Sequence, residues 1–250
     1  MLLEVQHVSK SFGQKAVLAD ISLHIQHGEI VALLGISGSG KTTLFNIIAG
    51  LLTSDQGRIL LAGQDVTGQS GQVSYMLQKD LLLPFRTIAG NVTLPLLLRG
   101  EKKKAAVAKI GPYMQTFGLA GTEQQYPAAL SGGMRQRAAL LRTYLFGKQL
   151  ALLDEPFSAL DEITKRGMHQ WYLKVIQQIN LTTLLVTHDI DEALVLADRI
   201  YVLAGQPSQI AAEIQLPTRQ QRPADFELTN GFLEYKRQIL GILANGLSTI

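Results

Sequence analysis

Between Gly35 and Thr43 the chain reads GISGSGKTT, a G-x-x-x-x-G-K-[ST] pattern that dictates its surroundings. Ile30–Leu34 (IVALL) precedes it as a short apolar run, read as a buried strand. Leu44, Ile47, Ile48 and Leu51 follow at helical spacing. A glycine-rich turn that merely contains a lysine has no need of that strand–loop–helix context. Gly35, Gly38 and Gly40 allow backbone angles and close approaches that a Cβ would block. The N–H groups of the loop and of the helix N-terminus then converge on an anion. Lys41 can reach the outer phosphates of a nucleotide, and the Thr42 hydroxyl suits Mg²⁺. Gly35, Ser37, Gly38, Ser39, Gly40, Lys41, Thr42 and Thr43 are the candidate phosphate-site residues.

Further apolar runs alternate with helical patterns, which points to an α/β fold. Arg58–Leu61, Val73–Leu77, Leu150–Leu153, Thr183–Val186 and Ile200–Leu203 read as strands. From Thr87 to Phe146 helical patterns with Gly and Pro breaks take over, as an insertion into a parallel-sheet core. The expected division is a nucleotide-binding core at 1–78 and 150–215, a helical subdomain at 79–149 and a helical tail at 216–250. In that tail Phe232, Tyr235, Ile239 and Leu243 mark an amphipathic helix expected to pack on the core.

Composition narrows the function classes. A net charge of +3 in 250 residues is too small an excess to indicate a nucleic-acid partner. The run Lys102, Lys103, Lys104 reads as a solvated helix start. Without cysteine there is no disulfide framework, thiolate metal site or thiol nucleophile. The opening MLLEVQHVSKSFG is too polar for a signal peptide, and no stretch approaches the roughly eighteen apolar residues of a membrane span. The expectation is a soluble or peripheral chain.

Leu150–Pro156 reads LALLDEP, an apolar run that ends in two acids. Burying carboxylates is costly without partners, so the pair is either solvated in a turn or chemically employed. Asp154 suits Mg²⁺, and Glu155 can take the proton of an attacking water. Leu130–Arg137 (LSGGMRQR) precedes helical spacing at Ala138, Leu141 and Leu145. There Ser131 is a natural N-cap, and Gly132 and Gly133 leave N–H groups open to an anion.

The order GISGSGKTT, LSGGMRQR, LALLDEPFSALD, LLVTHD resembles the ATP-binding-cassette family over essentially the whole chain. The resemblance implies a P-loop NTPase core with a parallel sheet, a helical subdomain carrying the LSGG signature and a small antiparallel β subdomain. It implies ATP and Mg²⁺ as ligands. Phe12, in SKSFGQ, falls where the family stacks an aromatic on adenine. Gln78, in YMLQKD, matches the glutamine that senses Mg²⁺ and the γ-phosphate. His188, in VTHD, matches the histidine that contacts the γ-phosphate, and Thr42, Gln78 and Asp154 form the implied metal set. His7, His24, His27 and His169 fit no motif. Ile36 and Met134 depart from the family's usual proline and glutamine, beside contacts that the backbone makes.

Because the chain has one phosphate loop and one signature, the resemblance implies a head-to-tail pair. Ser131, Gly132, Gly133 and Asp161 would then reach ATP held by the second copy. It also implies transmembrane permease subunits as partners, a solute-binding protein indirectly, and a place on the cytoplasmic face of the cell membrane. The loop Asp80–Arg86 (DLLLPFR) could receive a helix of the membrane subunit or pack into the core. DEPFSALD, VTHDIDEAL and YMLQKDLLLPFRTIAGNV look like the nitrate, sulfonate and taurine importer branch, which also handles pyrimidine precursors. The alternatives are an exporter ATPase, a soluble ATPase acting on DNA or ribosomes, and a nucleotide-binding module without turnover.

Overall fold

The computed structural model describes residues 1–223 and 225–247, with Gln220 and Leu247 by backbone alone. Residues 1–73 and 181–250 form one compact unit, and 74–180 form a second. Ala224 and 248–250 of the expected tail lie outside the described residues.

The first unit opens with a hairpin of β1 (Leu3–Phe12) and β2 (Lys15–Ile25). Leu3, Val5 and Val8 are buried, so strict alternation breaks between Val5 and Val8. There the register shifts and His7 adopts a φ of 54°. A bulge inserts a residue and turns the pattern over, which hides these strands from a period-two reading. Next come β3 (Ile30–Gly35), α1 (Lys41–Ile48), β4 (Gln56–Leu61) and β5 (Gln64–Asp65). The antiparallel sheet runs β2-β1-β4-β5. Leu44, Ile47 and Ile48 of α1 are buried as their spacing predicts, but Leu51 lies beyond the helix and is exposed. Gly50 turns the chain there at φ 70°, with Gln69 backbone 2.3 Å from where its Cβ would stand.

The second unit contains β6 (Ser74–Met76), α2 (Ile88–Val92), α3 (Leu94–Leu98), α4 (Lys103–Thr116), α5 (Gly132–Leu145), β7 (Leu150–Asp154) and α6 (Glu162–Ile179). β6 and β7 pair in parallel, Tyr75 against Leu152. Ala106, Ile110 and Met114 form the buried stripe of α4, while Lys102–Lys104 stay exposed at its start. The Phe117 ring meets Trp171 edge-on at 5.9 Å, and Arg137 lies 4.7 Å over that indole.

The chain then returns to the first unit with β8 (Thr182–Thr187), α7 (Ile190–Leu196), β9 (Arg199–Ala204), β10 (Gln209–Gln215) and α8 (Asn230–Leu247). β3 lies between β8 and β9, parallel to both, and β10 closes the edge antiparallel to β9. All residues of β3 and β8 are buried, as expected of parallel strands covered on both faces. Phe232 and Ile239 are the buried anchors of α8. No helix among the described residues is long and apolar enough to cross a membrane.

Candidate active site

In the register of the parallel sheet Leu34 pairs with Thr187. The next residues, Gly35 and His188, therefore leave neighbouring strands at the same end. In open α/β sheets ligands bind beyond the carboxyl ends of such strands. After β3 the chain makes the phosphate loop, closed by Ser39 N–H donating to Ile36 O at 3.2 Å. Gly38 and Gly40 hold φ of 81° and 82°, angles that glycine adopts without steric cost. A Cβ on Gly35 would lie 2.7 Å from Ser39 Oγ and 2.8 Å from Leu203 O, so that glycine is required by close approach.

Lys41 begins α1 and is only 6% exposed. Its Nζ donates to Gly35 O at 2.8 Å and to Ile36 O at 2.7 Å. A buried ammonium is costly without such acceptors, and here they hold the cation inside the loop. Ser39 Oγ is buried with no hydrogen-bond partner among the described residues. An orphaned hydroxyl in a ring of glycines beside a lysine fits a phosphate group. Ser37 on the loop and Thr42 in the first turn of α1 are exposed, and Thr43 is half-buried.

His188 follows β8 and is exposed. Thr187 Oγ1 accepts from Asp189 N–H at 3.0 Å. Asp189 Oδ1 caps α7 by accepting from the N–H groups of Asp191 and Glu192 at 2.9 and 3.1 Å. Phe12 ends β1 with its ring 51% exposed and Lys10 Nζ 5.6 Å from its centroid. It is thus no core phenylalanine, and a flat exposed ring suits stacking on a base.

In the second unit Asp154 closes β7 and is buried. The Tyr75 hydroxyl is hydrogen-bonded to it; burial first, and then Asp154, hold that phenol above its ordinary range. The next residue, Glu155, has a φ of 45°. A left-handed backbone costs a side-chain-bearing residue about 1–3 kcal/mol and collects at functional sites. Ser158 stabilises the turn, donating from N–H and Oγ to Glu155 O at 3.2 and 3.0 Å. Gln78 Nε2 donates to Glu155 Oε2 at 2.9 Å, so the structure brings these two predicted residues together.

Ser131 caps α5 as its position predicts, Oγ accepting from Met134 N–H at 3.3 Å. A Cβ on Gly132 would meet Leu160 at 3.5 Å, and one on Gly133 would meet Met168 Sδ at 3.5 Å. Both are ordinary contacts, so packing within this chain does not demand glycine at either place. Asp161 caps α6, Oδ1 accepting from Thr164 N–H at 3.0 Å. Thr164, through its side chain and then its backbone, lowers the Asp161 pKa below the usual carboxylate value.

The 80–86 loop divides its apolar residues. Leu82 is buried, whereas Leu81 and Phe85 are 51% and 73% exposed. Hydrogen bonds made by Asn91 and Arg142 set this shape. Asn91 is fully buried; its Nδ2 donates to Leu83 O, Arg86 O and Thr87 O, each at 3.1 Å. Its Oδ1 accepts from Leu83 N–H at 2.7 Å. Arg142 donates to Leu81 O at 2.8 Å and to Asp80 O at 2.5 Å, and burial lowers its pKa. Sequence reading gave neither a role, because one Asn and one Arg inside helices have no local demand that marks them, even though Asn91 falls within the quoted run Tyr75–Val92.

Comparison with known proteins gives concordant results. The family described as ABC transporter matches residues 18–158. The formylaminopyrimidine import ATP-binding protein of Halalkalibacterium halodurans is 46% identical over 217 residues, 86% of this chain and 85% of that protein. The nitrate import ATP-binding protein of Synechocystis is 36% identical over 253 residues, 97% of this chain and 95% of that protein. A solved dimeric ATP-binding cassette in a post-hydrolysis state, bound to ADP and Pi, superposes with a TM-score of 0.73 at 26% identity. It covers 86% of this chain and 99% of its own.

Proposed function

The chain belongs to the ABC transporter family as an ATP-binding, ATP-hydrolysing subunit, and from that premise we propose that two copies close on ATP, hydrolyse it and so drive import of a small solute through separate permease subunits. In this reading the phosphate loop cradles the outer phosphates and Lys41 neutralises their charge. The exposed Phe12 stacks on the adenine. Thr42, Asp154 and Gln78 offer the oxygen donors that a hard cation such as Mg²⁺ prefers. When bound, Mg²⁺ would supply charge neutralisation at the phosphates.

Glu155 takes the proton of the attacking water, and its bond to Gln78 holds the carboxylate in place for that transfer. His188 contacts the γ-phosphate. Ser131, Gly132 and Gly133 reach the ATP of the second copy, with Asp161 crossing the same interface. The glycines at 132 and 133 are compatible with this: a Cβ there would meet only ordinary contacts within the chain, and its absence leaves room for the approach of another group. ATP acts as a ligand of the closed pair alone and shifts association toward it; loss of the γ-phosphate lets the pair open.

One observation carries the transport reading. Gln78, which holds Glu155, lies two residues before a loop whose Leu81 and Phe85 are kept exposed by Asn91 and Arg142. An apolar surface pinned open just after the glutamine that holds the hydrolytic carboxylate suits a docking helix of a permease, at the cytoplasmic face of the membrane. In this reading, supported by the importer relatives named for formylaminopyrimidine and for nitrate, the cargo is a small polar solute delivered by a solute-binding protein. Reconstitution with the permease and binding protein, with uptake of labelled aminopyrimidine, nitrate and sulfonate measured in parallel, tests this. ATP-dependent uptake of one of them is expected. An ATPase rate indifferent to the permease would remove the coupling.

A further inference from the structure

Helix α7 is short, seven residues from Ile190 to Leu196, too short to be stable by itself. It begins two residues after His188. Residues of the C-terminal segment hold it at both ends. In its first turn, Asp191 is gripped by Lys236 of α8, with Nζ 2.7 Å from Oδ1 and 2.8 Å from Oδ2. At its other end, the Arg222 guanidinium donates to Leu194 O at 3.1 Å, to Val195 O at 3.0 Å and to Ala197 O. A helix C-terminus leaves its last carbonyls without partners and carries partial negative charge, so a planar cation there satisfies both.

Arg222 is itself held. Its Nε donates to Pro217 O at 2.9 Å, and the guanidinium lies 5.4 Å over the Phe226 ring. Burial pushes its pKa down to about 10, so it remains a cation at neutral pH. Arg219 adds a tie to the strand ends, donating to Asp198 Oδ1 at 2.9 Å and to Gly28 O at 3.2 Å. The far end of α8 meets the phosphate loop, where Leu243 and Gly246 line a cavity with Ile36, Ser37, Gly38 and Ser39.

We propose that the segment from Leu216 to the end of α8 is a strap that sets the position of His188 through α7, with Arg222 and Lys236 as positioning residues for ATP hydrolysis. This rests on the reading of His188 as a γ-phosphate contact. Neither residue lines the cavity at the phosphate loop; both bond to the short helix that leads out of the His188 turn. Arg222 and Lys236 thereby contribute to turnover and not to nucleotide capture, which belongs to the phosphate loop.

The test is a double-mutant cycle in the full chain assembled with its permease. Arg222→Ala, Arg222→Lys and Lys236→Ala are made in the wild type and in His188→Ala, and kcat is measured beside affinity for a fluorescent ATP analogue. Arg222→Ala should lower kcat about tenfold with affinity changed less than about twofold, and have no further effect once His188 is Ala. Lys cannot offer the three-acceptor fork, so Arg222→Lys should recover only part of the loss. Lys236→Ala removes a part-exposed pair of the kind that contributes little to stability, and should lower kcat about two- to threefold. Exchanging the charges, Lys236→Asp with Asp191→Lys, should restore it. A wild-type kcat in both alanine variants, or losses that simply add in the His188→Ala background, would overturn the strap alone. A wild-type kcat in His188→Ala itself would remove His188 from its role and the strap with it.

Discussion

The Gln78 amide donates to the Glu155 carboxylate at 2.9 Å, on a backbone that Glu155 holds at φ 45°. A side chain tethered on a strained turn is aimed and not merely solvated. Replacing Glu155 with Gln preserves its size but removes its capacity to accept a proton. Turnover should fall by about 10²–10⁴. The phosphate loop and signature remain, and in the proposed site one negative charge facing the γ-phosphate is removed, so ATP should hold the variant as a dimer. Size-exclusion chromatography with MgATP and with MgADP reads this directly. A variant that is monomeric in both, or hydrolyses at the wild-type rate, would exclude Glu155 as the base.

Lys41 is the buried cation of the phosphate loop, bonded to Gly35 O and Ile36 O. Lys41→Ala leaves bound phosphate without its charge partner. A hydrogen bond to a charged group is worth about 1.5–3 kcal/mol, so ATP affinity should fall at least about tenfold. Titration with a fluorescent nucleotide gives the number. Affinity within a few-fold of wild type would contradict the role.

Gly133 sits in the first turn of α5, where a Cβ finds only ordinary contacts. Gly133→Ala should leave thermal stability unchanged or raise it by up to about 1 kcal/mol, since Ala is the better helix former. If the proposed trans site holds, hydrolysis should nevertheless drop on the order of a hundredfold, because the methyl would displace the reacting phosphate of the opposite copy. Mixing Gly133→Ala with Lys41→Ala chains creates hybrid pairs in which one site is intact. Activity regained on mixing supports the trans site; a pair of strictly self-contained sites regains none.

The exposed Phe85 and the buried Asn91 should behave oppositely. Phe85→Ser removes an apolar side chain that is 73% exposed among the described residues. Basal ATPase and melting temperature should stay near wild type while stimulation by the permease is lost. Asn91→Ala breaks four hydrogen bonds to the loop backbone and strands buried polar groups. It should destabilise the chain by about 2–4 kcal/mol, measured by denaturant unfolding. Normal permease stimulation in Phe85→Ser would show that the loop is not the docking surface.

Local residue types sufficed for the phosphate loop, the LSGG turn and the acidic pair. Each asks for a backbone or charge feature only a few residues supply: glycine for positive φ in the loop, serine for the cap at Ser131, paired acids after a buried strand. The runs IVALL and TLLV announced strands because both faces are covered, so every residue is apolar. The first hairpin escaped because the bulge at His7 inverts its alternation, and the helical spacing through Leu51 ended early because Gly50 must pass the Gln69 backbone. Only tertiary structure decided that Leu34 pairs with Thr187, that Gln78 meets Glu155, and that Arg222 closes α7 from 25 residues beyond Ala197. Such partners are far apart along the chain, and a single Gln, Asn or Arg has no local conformational demand to mark it. Their roles follow from geometry that exists only once the strands are paired and the helices are packed.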